Sequence, residues 1–255
     1  MKRTIVRGAF VLAILLLAFA GCKKEEQKKG AIKGLEKVSL DLQISKDQAE
    51  KAALELEKTK GKKGKAFGQD TIRNTDSLNT IAFLAGVNFS LAALALKAND
   101  EAAFKDALEG IKAFAQRLGT KVGSYDWGSD FVALGNGMTS GKFTIEQAGN
   151  AFYLIGAKIV QAAVSSDAPD FAAHLMMGMQ ISNTAIYMKA GANVDVVAFV
   201  DMLSEYLRLY GSQFNTETKE DLERVVKELK AGMSVEENAK YADLLIKIVD
   251  RINIM

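Results

Sequence analysis

The sequence predicts an all-α protein, an irregular helical bundle or short solenoid assembled from helical hairpins. Three observations carry that prediction. The chain of 255 residues has one proline, Pro169, so few positions force a helix to stop. Hydrophobic residues make up 49% of it, enough to fill a sizeable core. Apolar runs of helical length follow one another, bounded by capping residues and glycines.

The chain opens on a different kind of segment. Lys2, Arg3 and Arg7 precede an apolar run over residues 9–20. That length lies within the roughly 7–15 residues of a secretory h-region and short of the ~20 that a spanning helix needs. Ala20 and Gly21, small enough for a signal peptidase pocket, lead into Cys22, the only cysteine. This stretch resembles the signal peptide of bacterial lipoproteins, whose lipobox ends in Gly-Cys or Ala-Cys. Phe19 departs from the leucine usual at its position. The resemblance implies a signal peptide over residues 1–21, cleavage before Cys22, and lipidation of the Cys22 thiol with acyl chains such as palmitate. It also implies a membrane anchor and a place in the bacterial cell envelope. Lys23 stands where an aspartate would signal inner-membrane retention, which favours the outer membrane, facing the periplasm. A lone cysteine cannot close an internal disulfide, so lipidation accounts for both its number and its position.

Charge divides the rest of the chain. Residues 23–65 carry 13 Lys against 8 acidic residues, whereas residues 66–255 carry 17 basic against 23 acidic. The expected organisation is a lipidated basic leader and linker over residues 22–65 and a helical domain over residues 66–255. The leader fits a tether close to anionic head groups or a solvated spacer. Residues 58–70, with three glycines among like charges, read as a linker. The mildly acidic body lacks the basic footprint of a nucleic-acid binder.

The helices are expected as follows. Residues 76–97 are apolar on most faces and read as a buried helix. Asn99-Asp100 breaks it, and Asp100 caps a second helix that ends near Leu118-Gly119. Thr144 and Gln147 have capping-box spacing and open a helix to about Val164. Residues 171–189 form the next, stopped by Gly191. Further helices are expected over residues 194–210, 218–230 and 235–253, the last opened by a Ser234/Glu237 capping box. Upstream, Val38, Leu40, Leu42 and Ile44 alternate with polar residues as a strand would, without an evident partner strand.

Two short matches suggest a hairpin unit used twice, an internal duplication at a period of about 70 residues. "IAFLAG" at 81–86 parallels "AFYLIG" at 151–156, and "ANDEAA" at 98–103 parallels "APDFAA" at 168–173. Phe152, Ile155, Gly156 and Ile159 resemble the first helix of a tetratricopeptide repeat, but the turns fall several residues too late for that family. Longer hairpins fit better, with Gly86 and Gly156 letting helix axes approach.

Little in the sequence offers catalysis. "LGNGMTSGKF" at 134–143 has six residues' separation between Gly135 and Gly141, and Phe143 stands where a phosphate loop needs a hydroxyl. It reads as a flexible loop. His174 is the only histidine, and beside Leu175, Met176 and Met177 it reads as a hydrogen-bonded core residue. Glu236-Glu237 and Glu220-Asp221 sit near helix starts, where negative charge offsets the macrodipole. No catalytic residue, metal site or cofactor is expected.

"GSYDWGSDF" at 123–131 holds the only tryptophan. Tyr125, Trp127, Asp130 and Phe131 read as a loop between hairpins that either plugs one end of the bundle or binds a ligand or partner. The leading functional expectation is therefore a non-enzymatic, lipid-anchored scaffold or accessory protein that binds another envelope protein. The alternative is a carrier that holds an apolar small molecule in a cavity lined by Trp127, Phe152, Met177 and Met179.

Overall fold

A computed structural model describes residues 32, 38–59, 76–118, 125–165 and 169–255. Cys22, the signal segment and most of the expected linker lie outside these residues. Among the described residues there are nine α-helices and no strand. They are α1 (Lys46–Thr59), α2 (Leu78–Ala98), α3 (Glu101–Leu118), α4 (Trp127–Thr139), α5 (Ile145–Ser165), α6 (Pro169–Ala190), α7 (Val196–Tyr210), α8 (Thr216–Glu228) and α9 (Val235–Arg251). The all-α prediction holds, and the arrangement is an irregular bundle.

Its centre is the crossing of α2 with α6. Gly86 and Gly178 lie at that crossing, each against the backbone of the other helix. Ser90 Oγ adds a hydrogen bond to the Met179 carbonyl at 3.1 Å. Among the described residues, α2 alone is long and apolar enough to cross a membrane, but 78% of its apolar window is buried inside the protein. It is a core helix. Around this pair, α1 packs on both members, α3 lies on α2, and α4 bridges α3 and α5. The last three helices cover the other flank, with α9 directly on α6. There the Lys189 ammonium, almost buried, meets Asp243 at 2.6 Å.

Local chemistry sets most helix ends where the sequence places them. Ser77 caps α2, and Asn99 closes it with φ 58°, while the Asp100 N–H reaches back to the Ala95 carbonyl. Asp100 Oδ1 then accepts from the Ala103 N–H at 2.9 Å to open α3. The Thr144/Gln147 and Ser234/Glu237 boxes both form. Asn215 caps α8, accepting from the Thr218 N–H at 2.8 Å, so that helix starts two residues earlier than expected. Beyond α9, Ile254 bridges to Phe214 and exchanges hydrogen bonds with the Thr80 hydroxyl, which clamps the C-terminus to the start of α2.

Three expectations need correction, and a fourth, the duplication, is not confirmed. First, the body does not begin at residue 66. Residues 38–45 run as irregular chain, not as a strand, and lead into α1 through a Ser45/Gln48 capping box. Leu42, Ala49 and Ala52 are completely buried in the common core. Asn183 Nδ2 donates to the Ser39 carbonyl, and the Gln43 N–H donates to the Tyr187 hydroxyl, each at 3.0 Å.

Second, residues 134–143 are not a flexible loop: α4 runs to Thr139, and the Phe143 ring lies over Gly137. Third, Gly156 does not serve an axis-to-axis approach; a Cβ there would strike Leu40 Cδ1 at 2.2 Å. Fourth, the two hairpins do not play equivalent parts. In the first pair the leading helix, α2, is central; in the second the trailing helix, α6, is central. That inversion does not support a duplicated unit.

Candidate functional site

Asp126 is the N-cap of α4, with Oδ1 accepting from the Ser129 N–H at 3.1 Å. The aromatic stretch is therefore the first turn of a helix. Trp127, Phe131, Leu134 and Met138 follow at helical spacing and all point into the core. Trp127 and Phe131 are each 1% exposed and meet edge to face, with centroids 6.2 Å apart. Phe131 continues to Phe89 at 5.6 Å, and Phe89 to Phe152 at 5.6 Å. This aromatic chain ties α4 to α2 and α5.

The four expected site residues thus lie together but face two ways. Trp127 and Phe131 face inward. Tyr125 stays half-buried, its hydroxyl donating to Asp130 Oδ2. Burial, then the Asp130 bond, raises the Tyr125 phenol well above its ordinary value. Lys158 Nζ stands 5.5 Å from the Tyr125 ring centroid. The pair fastens the start of α4 to α5. Nothing about Trp127 or Phe131 offers a contact surface.

The cavity expected around Trp127, Phe152, Met177 and Met179 is likewise filled, because all four are packed side chains at most 2% exposed. The space beside Met179 amounts to about 20 Å³.

His174 is fully buried on α6, as the sequence suggests. Its Nδ1 lies 2.6 Å from the Tyr206 hydroxyl, and the Tyr210 ring packs against it at a tilt, with centroids 4.7 Å apart. Tyr210 in turn donates to Asp170 Oδ1 at 2.9 Å. Burial lowers His174 to about 4, with the Asp170 charge acting weakly the other way. A neutral imidazole that deep joins α6 to α7.

The open concavity on this side is a cleft of about 970 Å³ between α6 and α7. Val38, Tyr187, Val194, Ala198 and Met202 supply its apolar lining. Asp195, Asp201, Glu205 and Arg208 supply its charge, three acids against one base. Asp195 is engaged in capping α7, accepting from the Ala198 N–H at 3.0 Å. Arg208 Nε donates to Glu205 at 2.9 Å, and that bond holds the Glu205 carboxyl below its ordinary value. Asp201 is exposed. Sequence reasoning missed this cleft, since the angle that opens it between two consecutive helices, and the arrival of Val38 beside them, are not written locally. The one available signal was the run of acids at 195, 201 and 205 along one helix.

Comparison with protein-family models, curated proteins and solved structures finds no significant match for this chain.

Proposed function

We propose that the protein is a non-enzymatic, lipid-anchored component of the bacterial envelope, tethered through Cys22, which docks another envelope protein in the α6–α7 cleft. The observation that carries this reading is the cleft itself. About 970 Å³ of open concavity with an apolar lining and an excess of acidic side chains has room for several side chains of a partner segment. Its excess of Asp and Glu selects a partner segment that is basic and studded with apolar side chains. Anchoring at Cys22 supports the same reading, because a tether raises the local concentration of a partner in the same membrane.

The test places a photo-crosslinking residue at Ala198, inside the cleft, or at Val235, which is exposed but outside it. Irradiation of cells should give one membrane-protein adduct from Ala198 and none from Val235. Asp201→Lys should reduce that adduct severalfold, and Cys22→Ser should remove it together with the protein's membrane fraction. An Ala198 adduct indifferent to Asp201→Lys, or no adduct at all, rejects the cleft as the docking site.

A further inference from the structure

A second cavity shares no lining residue with the α6–α7 cleft. It has a volume of about 230 Å³ and lies where α1, α2 and α3 meet. An apolar cavity of about 150 Å³ accommodates benzene, so this one takes a single ring with a short chain. Leu56, Leu91 and Leu94 share its apolar wall with alanines, among them Ala53, Ala95 and Ala107, which leave open space that larger side chains would fill.

Two polar features break the apolar lining. Asn88, fully buried on α2, contributes to it. The Asn88 Nδ2 donates to the Leu84 carbonyl at 3.0 Å, which fixes the amide orientation and leaves Oδ1 as a buried acceptor without a partner. A buried acceptor left unmade is costly, and a ligand donor recovers that loss. The lining also includes the exposed acids Asp106 and Asp100, the latter sharing Oδ1 with the Ala103 N–H, and among the described residues no basic side chain. A mouth with that excess of negative charge disfavours anions and attracts cations.

We propose that this pocket binds a small organic amine, with its apolar body among the alanines and its ammonium at the carboxylates. A hydroxyl at the far end of such a ligand donates to Asn88 Oδ1. Tyramine has all three features, and phenethylamine lacks only the hydroxyl. The site is independent of the docking cleft, so either assignment can fail without the other.

The test titrates the intact protein in detergent micelles with tyramine, phenethylamine, ethylbenzene and phenylacetate, by calorimetry. Ala103→Phe serves as the blank for partition into micelles. Ala103 is an exposed wall residue, so this variant should keep its unfolding midpoint while losing saturable binding. Asp106→Asn should weaken the amines about 3-fold and leave ethylbenzene unchanged. Tyramine should bind about 5-fold more tightly than phenethylamine through the hydrogen bond to Asn88. Phenylacetate binding as well as phenethylamine would overturn the cationic assignment. Equal affinity of tyramine and phenethylamine would remove the Asn88 contact. Titrations of the parent protein and Ala103→Phe that superimpose would overturn the site.

Discussion

Gly86 on α2 and Gly178 on α6 are reciprocal: each lies on the backbone of the helix that carries the other. A Cβ on Gly86 would stand 1.9 Å from the Leu175 carbonyl oxygen, and one on Gly178 would stand 2.0 Å from the Phe83 carbonyl oxygen. Backbone atoms cannot rotate aside as a flexible side chain does. Two helices in contact at bare Cα atoms can pack closer than the 8–10 Å usual between axes, and their flanking side chains interlock around the crossing.

Either Gly86→Ala or Gly178→Ala should therefore force the central pair apart. Overpacking of a well-filled core costs about 1–3 kcal/mol or more, and here two long apolar helices lose contact together. Gly135→Ala is the control. It sits inside α4, where an added Cβ would meet no neighbouring atom nearer than 3.7 Å. That substitution should stabilise by about 0.5–1 kcal/mol. Urea unfolding of the three variants separates the effects. Equal midpoints for Gly178→Ala and the parent would show that the crossing is not tight.

Much of this architecture was legible in the sequence because helix ends are written locally. Asp100, the Thr144/Gln147 pair and the Ser234/Glu237 pair each satisfy orphan N–H groups within one turn. Gly86 was legible as a close-approach site, but its partner Gly178 was not, since nothing local says which helix crosses which. Helix α4 was missed because Gly128, Gly135 and Gly137 each oppose helix formation by about 1 kcal/mol. Burial of Trp127, Phe131, Leu134 and Met138 outweighs them, and their 4-3-4 spacing was the available signal. Helix α1 was missed because its charged face dominates the composition, while Ala49, Ala52 and Leu56 form a narrow buried stripe. The candidate cleft and pocket were not legible, because both depend on how neighbouring helices are angled and on Val38 or α1 closing them from far along the chain.

The stripe on α1 predicts that the body cannot be cut at residue 66. Leu42 is completely buried among core residues, and Leu42→Ala should cost about 2–5 kcal/mol. A chain beginning at residue 38 should unfold in urea with the cooperativity and midpoint of the full chain. One beginning at residue 66 should be markedly less stable. Matching midpoints for these two truncated chains would mean that residues 38–59 add nothing to the fold.

The His174 cluster predicts acid sensitivity of known sign. Its ordinary value of 6.5 falls to about 4 in the folded protein, so between those values the unfolded chain binds the extra proton. The stabilisation is complete above about pH 6.5 and is lost as pH falls towards 4, by roughly 3 kcal/mol. Among the described residues, Asp170 on the same helix and Tyr206 and Tyr210 on α7 are the titratable groups facing it. Other carboxylates titrate in the same window, so the informative quantity is a difference. Unfolding free energies of His174→Gln should fall less steeply than those of the parent between pH 6.5 and 4. Parallel curves would reject a buried neutral imidazole.

The last prediction concerns Trp127, which reports on one place because it is the sole indole in the chain. At 1% exposure and edge to face with Phe131, it should emit as a buried indole and resist quenching by acrylamide. Truncation to alanine removes the first link of the aromatic chain through Phe131, Phe89 and Phe152 and should cost roughly 3–5 kcal/mol. Trp127→Phe keeps the ring contact and should recover most of that loss. Neither change touches the lining of the α6–α7 cleft, so crosslinking from Ala198 should persist in Trp127→Phe at the level of the parent. A red-shifted, readily quenched emission, or loss of the Ala198 adduct in the folded Trp127→Phe protein, would return the aromatic segment to the binding surface and displace the cleft.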